Sequence, residues 1–350
     1  MSKKIKPIVL ITRPIPEIGL KILETHCNLI KNQRSAPLKY SELLNKVKGV
    51  NAILCFLNDK IDKQIMEAAG SSLKIISTFS TGYEHIDIAE ATRRGIKIGY
   101  TGEILTETTA DLAIGLMLCI GRRLIEADKY LRKGQWKYGW NPDLMIGRDL
   151  HHKTIGVIGL GKIGSAICRR AIGFGMKVLF TKRNFDQNDF SKNKSIGKLE
   201  YCNLQRLISE SDYIVISCTL NKDSYHLIDY EKIRMMKKNA FIINISRGKI
   251  IKEIDLIRGL KEELIAGAAL DVFEDEPISR NNPLIKMQNV VLLPHIGSAS
   301  IDTRNKMSEI AASNIINVLN GRYNRAVLLK YHIPSVYTSS LLMRTSSSSS

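Results

Sequence analysis

The segment TIGVIGLGKIGSAICRR, residues 154–170, decides the fold of this chain. An apolar strand pattern runs into the motif GLGKIG, and a helical pattern follows at once. In this motif Gly159 permits a tight turn, Gly161 lets a ligand approach the backbone, and Gly164 lets helix and strand pack closely. In this context the motif predicts a site for the pyrophosphate of a dinucleotide, with a turn that holds no ligand as the alternative. The residues assigned to it are Gly159, Gly161, Lys162, Ile163 and Gly164.

The residues at the end of the next strand are unusual for such a site. An acid that binds the adenosine ribose is expected about twenty residues after the glycine turn, but VLFTKRN carries Thr181, Lys182, Arg183 and Asn184. An acid would repel the 2′-phosphate of NADP, at a cost of about 4 kcal/mol for like charges ~4 Å apart at an effective dielectric of ~20. A lysine and an arginine attract that phosphate instead. The stretch therefore predicts NADP(H) as the preferred cofactor, with NAD(H) possible. The alternatives are a solvated basic loop and an acid supplied by Asp186.

Apolar strand patterns alternate with helical patterns on both sides of this segment. Before it, strands are predicted at PIVLIT, NAILCFL, LKIISTFS and IKIGYT, with helices at 16–26, 41–49, 62–70 and 87–94. One long helix is predicted over 106–133, and the last near 302–319. Such alternation is typical of parallel sheets covered by helices. The fold class is therefore α/β, with two Rossmann-like or flavodoxin-like domains and an active-site cleft between them.

The order of these patterns also predicts the domain boundaries. Residues 1–102 and 298–330 are assigned to a substrate-binding domain, and residues 103–297 to the dinucleotide-binding domain. Residues 331–350 end in a serine run, which predicts a disordered tail. A chain that leaves a domain and returns to it suggests a hinge.

Composition narrows the class of protein. The 350 residues are 44% hydrophobic and 25% charged, which is typical of a globular protein, and no apolar run is long enough to span a bilayer. The net charge of +18 raises nucleic acid as a partner, but the basic residues are scattered and rarely interleaved with aromatics, so none is predicted. The six cysteines lack metal or disulfide spacing. We therefore expect free thiols, no metal site and a cytoplasmic location.

Polar side chains follow three later strands. FIINISRGKII places Arg247 after an apolar strand, GAALDVFEDEP places four acids after another, and NVVLLPHIGSAS places His295 after a third. In open α/β sheets ligands bind beyond the carboxyl ends of the strands. These residues therefore converge on the predicted cofactor.

An arginine, a carboxylate and a histidine suit hydride exchange between nicotinamide and a 2-keto or 2-hydroxy acid. The histidine donates the proton that the carbonyl oxygen needs, and a carboxylate orients its ring. Arg247 binds the substrate carboxylate and polarises the carbonyl. Glu276 is preferred to Glu274 as the partner of His295, and both choices stay open.

The motifs GLGKIG, ISRG, DVFEDEP and PHIGS, in this order and spacing, resemble those of the D-isomer-specific 2-hydroxyacid dehydrogenases. The resemblance extends over roughly residues 5–325. Within the family, GYTGEILTETTADLAIGLML, GRRLIEA and LLPHIGSAS are most similar to the branch of glyoxylate and hydroxypyruvate reductases. The resemblance implies NADPH-dependent reduction of glyoxylate to glycolate and of hydroxypyruvate to D-glycerate.

The resemblance also implies individual roles. His295 is the general acid/base, Glu276 its partner and Arg247 the substrate anchor. Further substrate contacts are implied for Thr81, Gly82, Ser298 and Trp140. Further cofactor contacts are implied for Thr109, Thr219, Ile245 and Asp271. The family dimerises through its cofactor domains near the 134–150 loop, so a homodimer is expected.

Two rival functions remain at this point. One is another D-2-hydroxyacid dehydrogenase, such as one acting on phosphoglycerate, although the chain lacks the extra C-terminal regulatory domain of many such enzymes. The other is a dinucleotide-sensing corepressor of the same fold, which keeps the same three side chains. The sequence does not rank glyoxylate against hydroxypyruvate.

Overall fold

The structure is a computed structural model that describes residues 6–183, 185 and 198–329. The chain divides into two compact units, one running to Ile104 and resuming at Ile301, the other running from Leu105 to Ser300. The first division falls two residues, and the second three residues, beyond the ones predicted after residues 102 and 297. Residues 295–297 are hydrogen-bonded to Asp271 within the second unit. The predicted tail, residues 331–350, lies outside the described residues.

The first unit is built on a parallel five-stranded sheet. Its strands, in the order β2-β1-β3-β4-β5, are β1 (Ile8–Ile11), β2 (Asn28–Lys31), β3 (Ala52–Cys55), β4 (Ile75–Thr78) and β5 (Lys97–Gly99). The helices in the same stretch are α1 (Glu17–His26), α2 (Tyr40–Lys46), α3 (Lys63–Ala69) and α4 (Ile88–Arg93). Strands β3 and β4 are buried along their whole length, as expected for a sheet covered on both faces.

The chain returns to the first unit through a long helix, α11 (Ile301–Leu319). This helix packs against α1 so closely that a Cβ atom on Gly19 would collide with Ser308. The Ser308 hydroxyl donates to the carbonyl of Pro16 at 2.9 Å, and Ser77 of β4 donates to the carbonyl of Ala311 at 2.9 Å. The final helix is therefore part of this unit.

The second unit is built on a parallel seven-stranded sheet. The strand order is β12-β11-β10-β9-β6-β7-β8. Its strands are β6 (Thr154–Ile158), β7 (Lys177–Thr181), β8 (Leu199–Tyr201), β9 (Tyr213–Ile216), β10 (Phe241–Asn244), β11 (Gly267–Leu270) and β12 (Val290–Leu292). Its helices are α5 (Thr106–Gly121), α6 (Leu124–Arg132), α7 (Lys162–Gly173), α8 (Leu204–Glu210), α9 (Tyr230–Arg234) and α10 (Glu253–Lys261). The strand order reverses at β6, which places the glycine turn at the switch point of the sheet.

The predicted α/β class with two parallel-sheet units is confirmed, but three local predictions were wrong. Strands β2 and β8 were not predicted, because neither carries an apolar run like those of the central strands: β2 is nowhere fully buried and β8 spans three residues. The predicted helix over 106–133 is two helices, because Arg123 takes a left-handed φ of 55°. Its side chain pairs with Glu126 at 2.6 Å in the first turn of α6.

Two layers of apolar side chains enclose the second sheet. One layer packs α5 and α7 against one face, with Met117, Ile167 and Phe180 fully buried. The other places Ile208, Ile233 and similar side chains on the opposite face. Each buried side chain of this size contributes roughly 1.5–3 kcal/mol of transfer free energy, which is what holds the strand ends in place. Within the described parts of the chain, no helix has the length and apolarity that crossing a membrane requires.

Candidate active site

The glycine turn after β6 has the geometry that its sequence predicts. Gly159 has a φ of 99°, and a Cβ atom there would lie 2.6 Å from backbone atoms of Cys218. A Cβ atom on Gly164 would collide with the carbonyl oxygen of Gly159. At Gly161, which caps the twelve-residue helix α7, a Cβ atom would meet nothing within 4 Å. The turn therefore leaves open space in front of a helix N-terminus, which fits the pyrophosphate of a dinucleotide.

The strand next to this turn, β7, ends at the predicted basic stretch. The carbonyl of Thr181 accepts a hydrogen bond from the Gly159 backbone at 2.9 Å, so strand end and glycine turn are tied together. Lys182 and Arg183 follow it and are exposed. Arg183 forms an ion pair with Asp223, from the loop after β9. Asn184, also predicted to contact the cofactor, lies outside the described residues.

Arg247 follows β10 in a loop that is fixed on both sides. Asn244 donates its side-chain amide to the Arg247 carbonyl at 3.0 Å and accepts from the Ser246 backbone at 3.0 Å. The Arg247 guanidinium donates to the carbonyl of Ser246 at 2.9 Å. Gly248 packs so tightly that a Cβ atom would collide with the backbone of Phe273. The glycine of the ISRG motif therefore lets this loop contact the loop that carries the acids.

His295 and Glu276 form the central pair of the site. The Nδ1 atom of His295 lies 2.7 Å from Oε2 of Glu276, and the two side chains are 33% and 30% exposed. The other carboxylate oxygen of Glu276 accepts from the Phe273 backbone at 3.2 Å. Because Nδ1 is engaged, Nε2 is the ring atom left to exchange a proton with a substrate.

The turn that carries His295 is held by two buried side chains. His295 has a positive φ of 54°, and its backbone N–H donates to the Asp271 carbonyl at 2.9 Å. The Asp271 carboxylate accepts from Ile296 and Gly297 at 2.7 and 2.8 Å. Thr109, in the first turn of α5, donates its hydroxyl to the Gly297 carbonyl at 3.1 Å. Both residues were predicted to contact the cofactor; here they support the histidine, and their cofactor roles stay predictions.

Charge within the site favours an ionised Glu276. Burial acts to raise the pKa of Glu276, but the hydrogen bond and charge of His295, the Phe273 N–H and the Arg247 guanidinium together outweigh it, so the pKa is lowered. The Arg247 guanidinium acts in the same direction, which places its charge within electrostatic reach of the pair. A lowered pKa keeps Glu276 ionised as the pH falls below the usual range of a glutamate. Burial raises the pKa of Asp271, against the effect of its two backbone donors.

Glu274, the alternative partner of His295, has a different neighbour. Its carboxylate lies 2.7 Å from Nε2 of His226 and accepts from the Glu253 backbone at 3.1 Å. His226 was not among the predicted site residues, although it follows the end of β9 on the same edge of the sheet. The structure therefore distinguishes the two glutamates: Glu276 contacts His295, and Glu274 contacts the loop after β9 and the start of α10.

The remaining predicted residues lie in several places. In the second unit, Thr219 is exposed, Ile245 is buried and Ser298 is half-buried. Trp140 is 84% exposed on the long loop after α6. Thr81 and Gly82 follow β4 at the carboxyl edge of the first unit's sheet, and both are half-buried. The site roles of all these residues stay predictions.

Metal ions in proteins are held mainly by His, Cys, Asp and Glu side chains, and the described residues include all four types. No three His, Cys, Asp or Glu side chains among them lie close enough together to hold a metal ion. All six cysteines are free thiols.

A comparison with protein families finds a match in the part of the chain that carries these residues. A family model described as the NAD-binding domain of D-isomer-specific 2-hydroxyacid dehydrogenases matches residues 114–297. The matched segment lies within the second unit and includes the glycine turn, Arg247, Glu276 and His295.

Individual proteins are similar over nearly the whole chain. A glyoxylate reductase of Thermofilum pendens is 44% identical over 328 residues, which cover 93% of this chain and 95% of that protein. Among solved structures, one from Thermus thermophilus has a TM-score of 0.85 at 33% identity, covering 92% of this chain and 100% of that one. An NADPH-dependent glyoxylate/hydroxypyruvate reductase from Sinorhizobium meliloti, in complex with NADP and malonate, has a TM-score of 0.79 at 30% identity. The match covers 90% of this chain and 94% of that one.

Proposed function

The chain belongs to the D-isomer-specific 2-hydroxyacid dehydrogenases, and from that premise we propose that it reduces glyoxylate to glycolate and hydroxypyruvate to D-glycerate. The family makes it an oxidoreductase that acts on small keto or hydroxy acids with a nicotinamide cofactor. The observation that carries the proposal is the 2.7 Å contact between His295 and Glu276 at the edge of the sheet that also carries Arg247.

Arg247 binds and activates the substrate in this proposal. Its guanidinium stays charged at any physiological pH and offers a planar fork of donors, which suits the carboxylate of a 2-keto acid. The same group polarises the neighbouring carbonyl, so charge that develops on its oxygen is stabilised. Backbone donors of Thr81 and Gly82 are also assigned to substrate binding in this proposal, as part of the substrate-binding domain predicted over residues 1–102 and 298–330.

His295 moves the proton. When bound, the nicotinamide supplies a hydride for the keto carbon. The carbonyl oxygen then needs a proton, which Nε2 of His295 donates. Glu276 holds Nδ1, so it fixes the orientation of the ring and stabilises the imidazolium before the transfer.

NADPH is the preferred cofactor in this proposal, with NADH accepted less well. Two features support the preference. The end of β7 carries Lys182 and Arg183 in place of an acid, and an acid there would repel a 2′-phosphate. The similar reductase of Sinorhizobium meliloti is described as NADPH-dependent.

A matrix of steady-state rates tests the proposed function. Purified protein is assayed with glyoxylate, hydroxypyruvate, 3-phosphohydroxypyruvate and pyruvate, each with NADPH and with NADH. The highest kcat/KM is expected for glyoxylate or hydroxypyruvate with NADPH. A higher value for the phosphorylated substrate would favour a phosphoglycerate-type enzyme. Cofactor binding without turnover of any keto acid would favour a sensor.

We also propose that the protein is a homodimer formed by the second unit. Helix α6 has no buried residue, and its Leu131 is 56% exposed. In the following loop Trp136 is 52%, Tyr138 93% and Trp140 84% exposed. Large apolar side chains exposed together are typical of an interface.

Light scattering measures this directly. The wild-type protein is expected at twice the mass of its chain. The double change Leu131→Glu and Ile125→Glu is expected to give monomers, because it places charges among the exposed apolar side chains of α6. Ile18→Glu, at a position that is 44% exposed in the first unit, should leave the dimer intact. A monomeric wild-type protein would contradict the proposal.

A cytoplasmic location is the remaining proposal. Its support is the set of six free thiols, a state that persists in reducing compartments. Fractionation of cells followed by immunoblotting would check it, and recovery outside the cytoplasm would contradict it.

A further inference from the structure

Asp223 occupies a position that the proposed function does not explain. It lies in the loop after β9, and its carboxylate forms an ion pair with Arg183, which lies in the loop after β7. In the sheet, β6 stands between these two strands, so the loops flank the glycine turn. The pair therefore closes over the edge where the adenosine half of a dinucleotide binds in a fold of this kind.

The backbone around Asp223 is held in a defined turn. The Asp223 and Ser224 N–H groups both donate to the side-chain oxygen of Asn221, at 2.9 and 3.2 Å. Ser224 is buried, and its hydroxyl donates to the Thr219 carbonyl at 2.7 Å. Asp223 itself is 66% exposed at the side chain. Its carboxylate is therefore presented to solvent, and to Arg183, from a fixed base.

The charges at this edge have a direct consequence for cofactor choice. Lys182 and Arg183 bring two positive charges, and Asp223 offsets one of them. A 2′-phosphate carries more than one negative charge at neutral pH, so an acid here opposes its binding. The same carboxylate can accept a hydrogen bond from the 2′-hydroxyl of NAD(H), which is what the acid at the end of β7 does in many dinucleotide sites.

We propose that Asp223 is a specificity-determining residue that limits the preference for the 2′-phosphate and lets NAD(H) bind as well. With NADP(H), the phosphate takes Arg183 away from Asp223, which is possible because exposed ion pairs are weak. With NAD(H), the pair stays together and Asp223 accepts from the ribose hydroxyl. The inference rests on the proposed nicotinamide cofactor and deepens it. The acid absent from VLFTKRN is thus supplied by a neighbouring loop.

Direct binding measurements test this without relying on turnover. Isothermal titration calorimetry gives Kd for NADPH and NADH with the wild-type protein, Asp223→Asn and Asp223→Glu. Asparagine has the same size and leaves the turn intact, because the turn is built by the Asp223 backbone. Asp223→Asn is expected to lower Kd for NADPH about 3- to 10-fold and to raise Kd for NADH, since the repulsion and the acceptor charge are both lost. Asp223→Glu should stay near the wild-type ratio.

Glu231→Gln is the matched control. Glu231 is 70% exposed in the second unit and pairs with Arg234, so it tests the loss of one surface charge alone. Its ratio of Kd values should match that of the wild type. Titration with adenosine 2′,5′-bisphosphate and with AMP repeats the comparison without the nicotinamide, and the same shift is expected.

The proposed NADPH preference and the proposed role of Asp223 would fail in different ways. A wild-type protein that binds NADH more tightly than NADPH would contradict the proposed NADPH preference but not the role of Asp223. A ratio that Asp223→Asn leaves unchanged within twofold, or that Glu231→Gln changes equally, would overturn the role of Asp223.

Discussion

Replacement of His295 by asparagine is expected to lower kcat for glyoxylate reduction at least about 100-fold, while Kd for the cofactor stays nearly unchanged. Asparagine can still accept or donate a hydrogen bond, but it cannot deliver a proton to the carbonyl oxygen. The contacts of the turn with Asp271 run from backbone N–H groups to the Asp271 carbonyl and carboxylate, so they do not depend on the imidazole. Stopped-flow single-turnover rates would measure the step itself, and calorimetry the binding.

The two glutamates supply a matched comparison for the same experiment. Glu276→Gln removes the charge that orients His295 and should lower kcat in the same direction. Glu274→Gln makes the same chemical change two residues away, where the partner is His226, and should have a much smaller effect on kcat. An unchanged rate in His295→Asn, or equal losses in the two glutamine variants, would remove the pair from the mechanism.

Replacement of Arg247 by glutamine is expected to lower kcat/KM for the keto acid by about 10²–10³. The loss should appear in both constants, because the guanidinium binds the substrate carboxylate in the ground state and stabilises the oxygen in the transition state. KM for NADPH should change little. Steady-state kinetics with each substrate varied in turn would separate these terms.

Two further arginine variants serve as controls for Arg247→Gln. Arg247→Lys keeps the charge but loses the planar fork, so its activity should fall between the wild type and Arg247→Gln. Arg280→Gln removes an exposed arginine from the loop after Glu276 and should leave kcat/KM within about twofold. A loss in Arg247→Gln that is matched by a lower Tm and a weaker cofactor affinity would point to a disturbed loop instead of a lost anchor.

Local sequence signals predicted much of the fold. Strands β3, β4 and β6 are rich in apolar residues and are buried almost throughout, as expected for parallel strands covered on both faces. Strand β8 was missed because three residues carry too little pattern. The end of α5 was missed because the left-handed conformation falls on Arg123, a residue type that does not signal it in the sequence.

The pairing of side chains was less predictable. Glu274 and Glu276 stand two residues apart after the same strand, and the sequence alone left both as partners of His295. Their side chains take different partners because the loop turns between them, so that one meets His295 and the other meets His226. The supporting roles of Asp271 and Thr109 were not predicted from the sequence either, because both residues hold the histidine turn through hydrogen bonds between distant segments.

By itself, the sequence determined the class of fold, the glycine turn and the presence of arginine, carboxylate and histidine at strand ends. These depend on short-range chemistry, namely apolar periodicity and the backbone freedom of glycine. Only the tertiary structure decided which carboxylate meets His295, what holds its turn and that Asp223 meets Arg183. Those contacts join residues 19 to 188 positions apart, and packing of the sheet, which no local pattern encodes, brings them together.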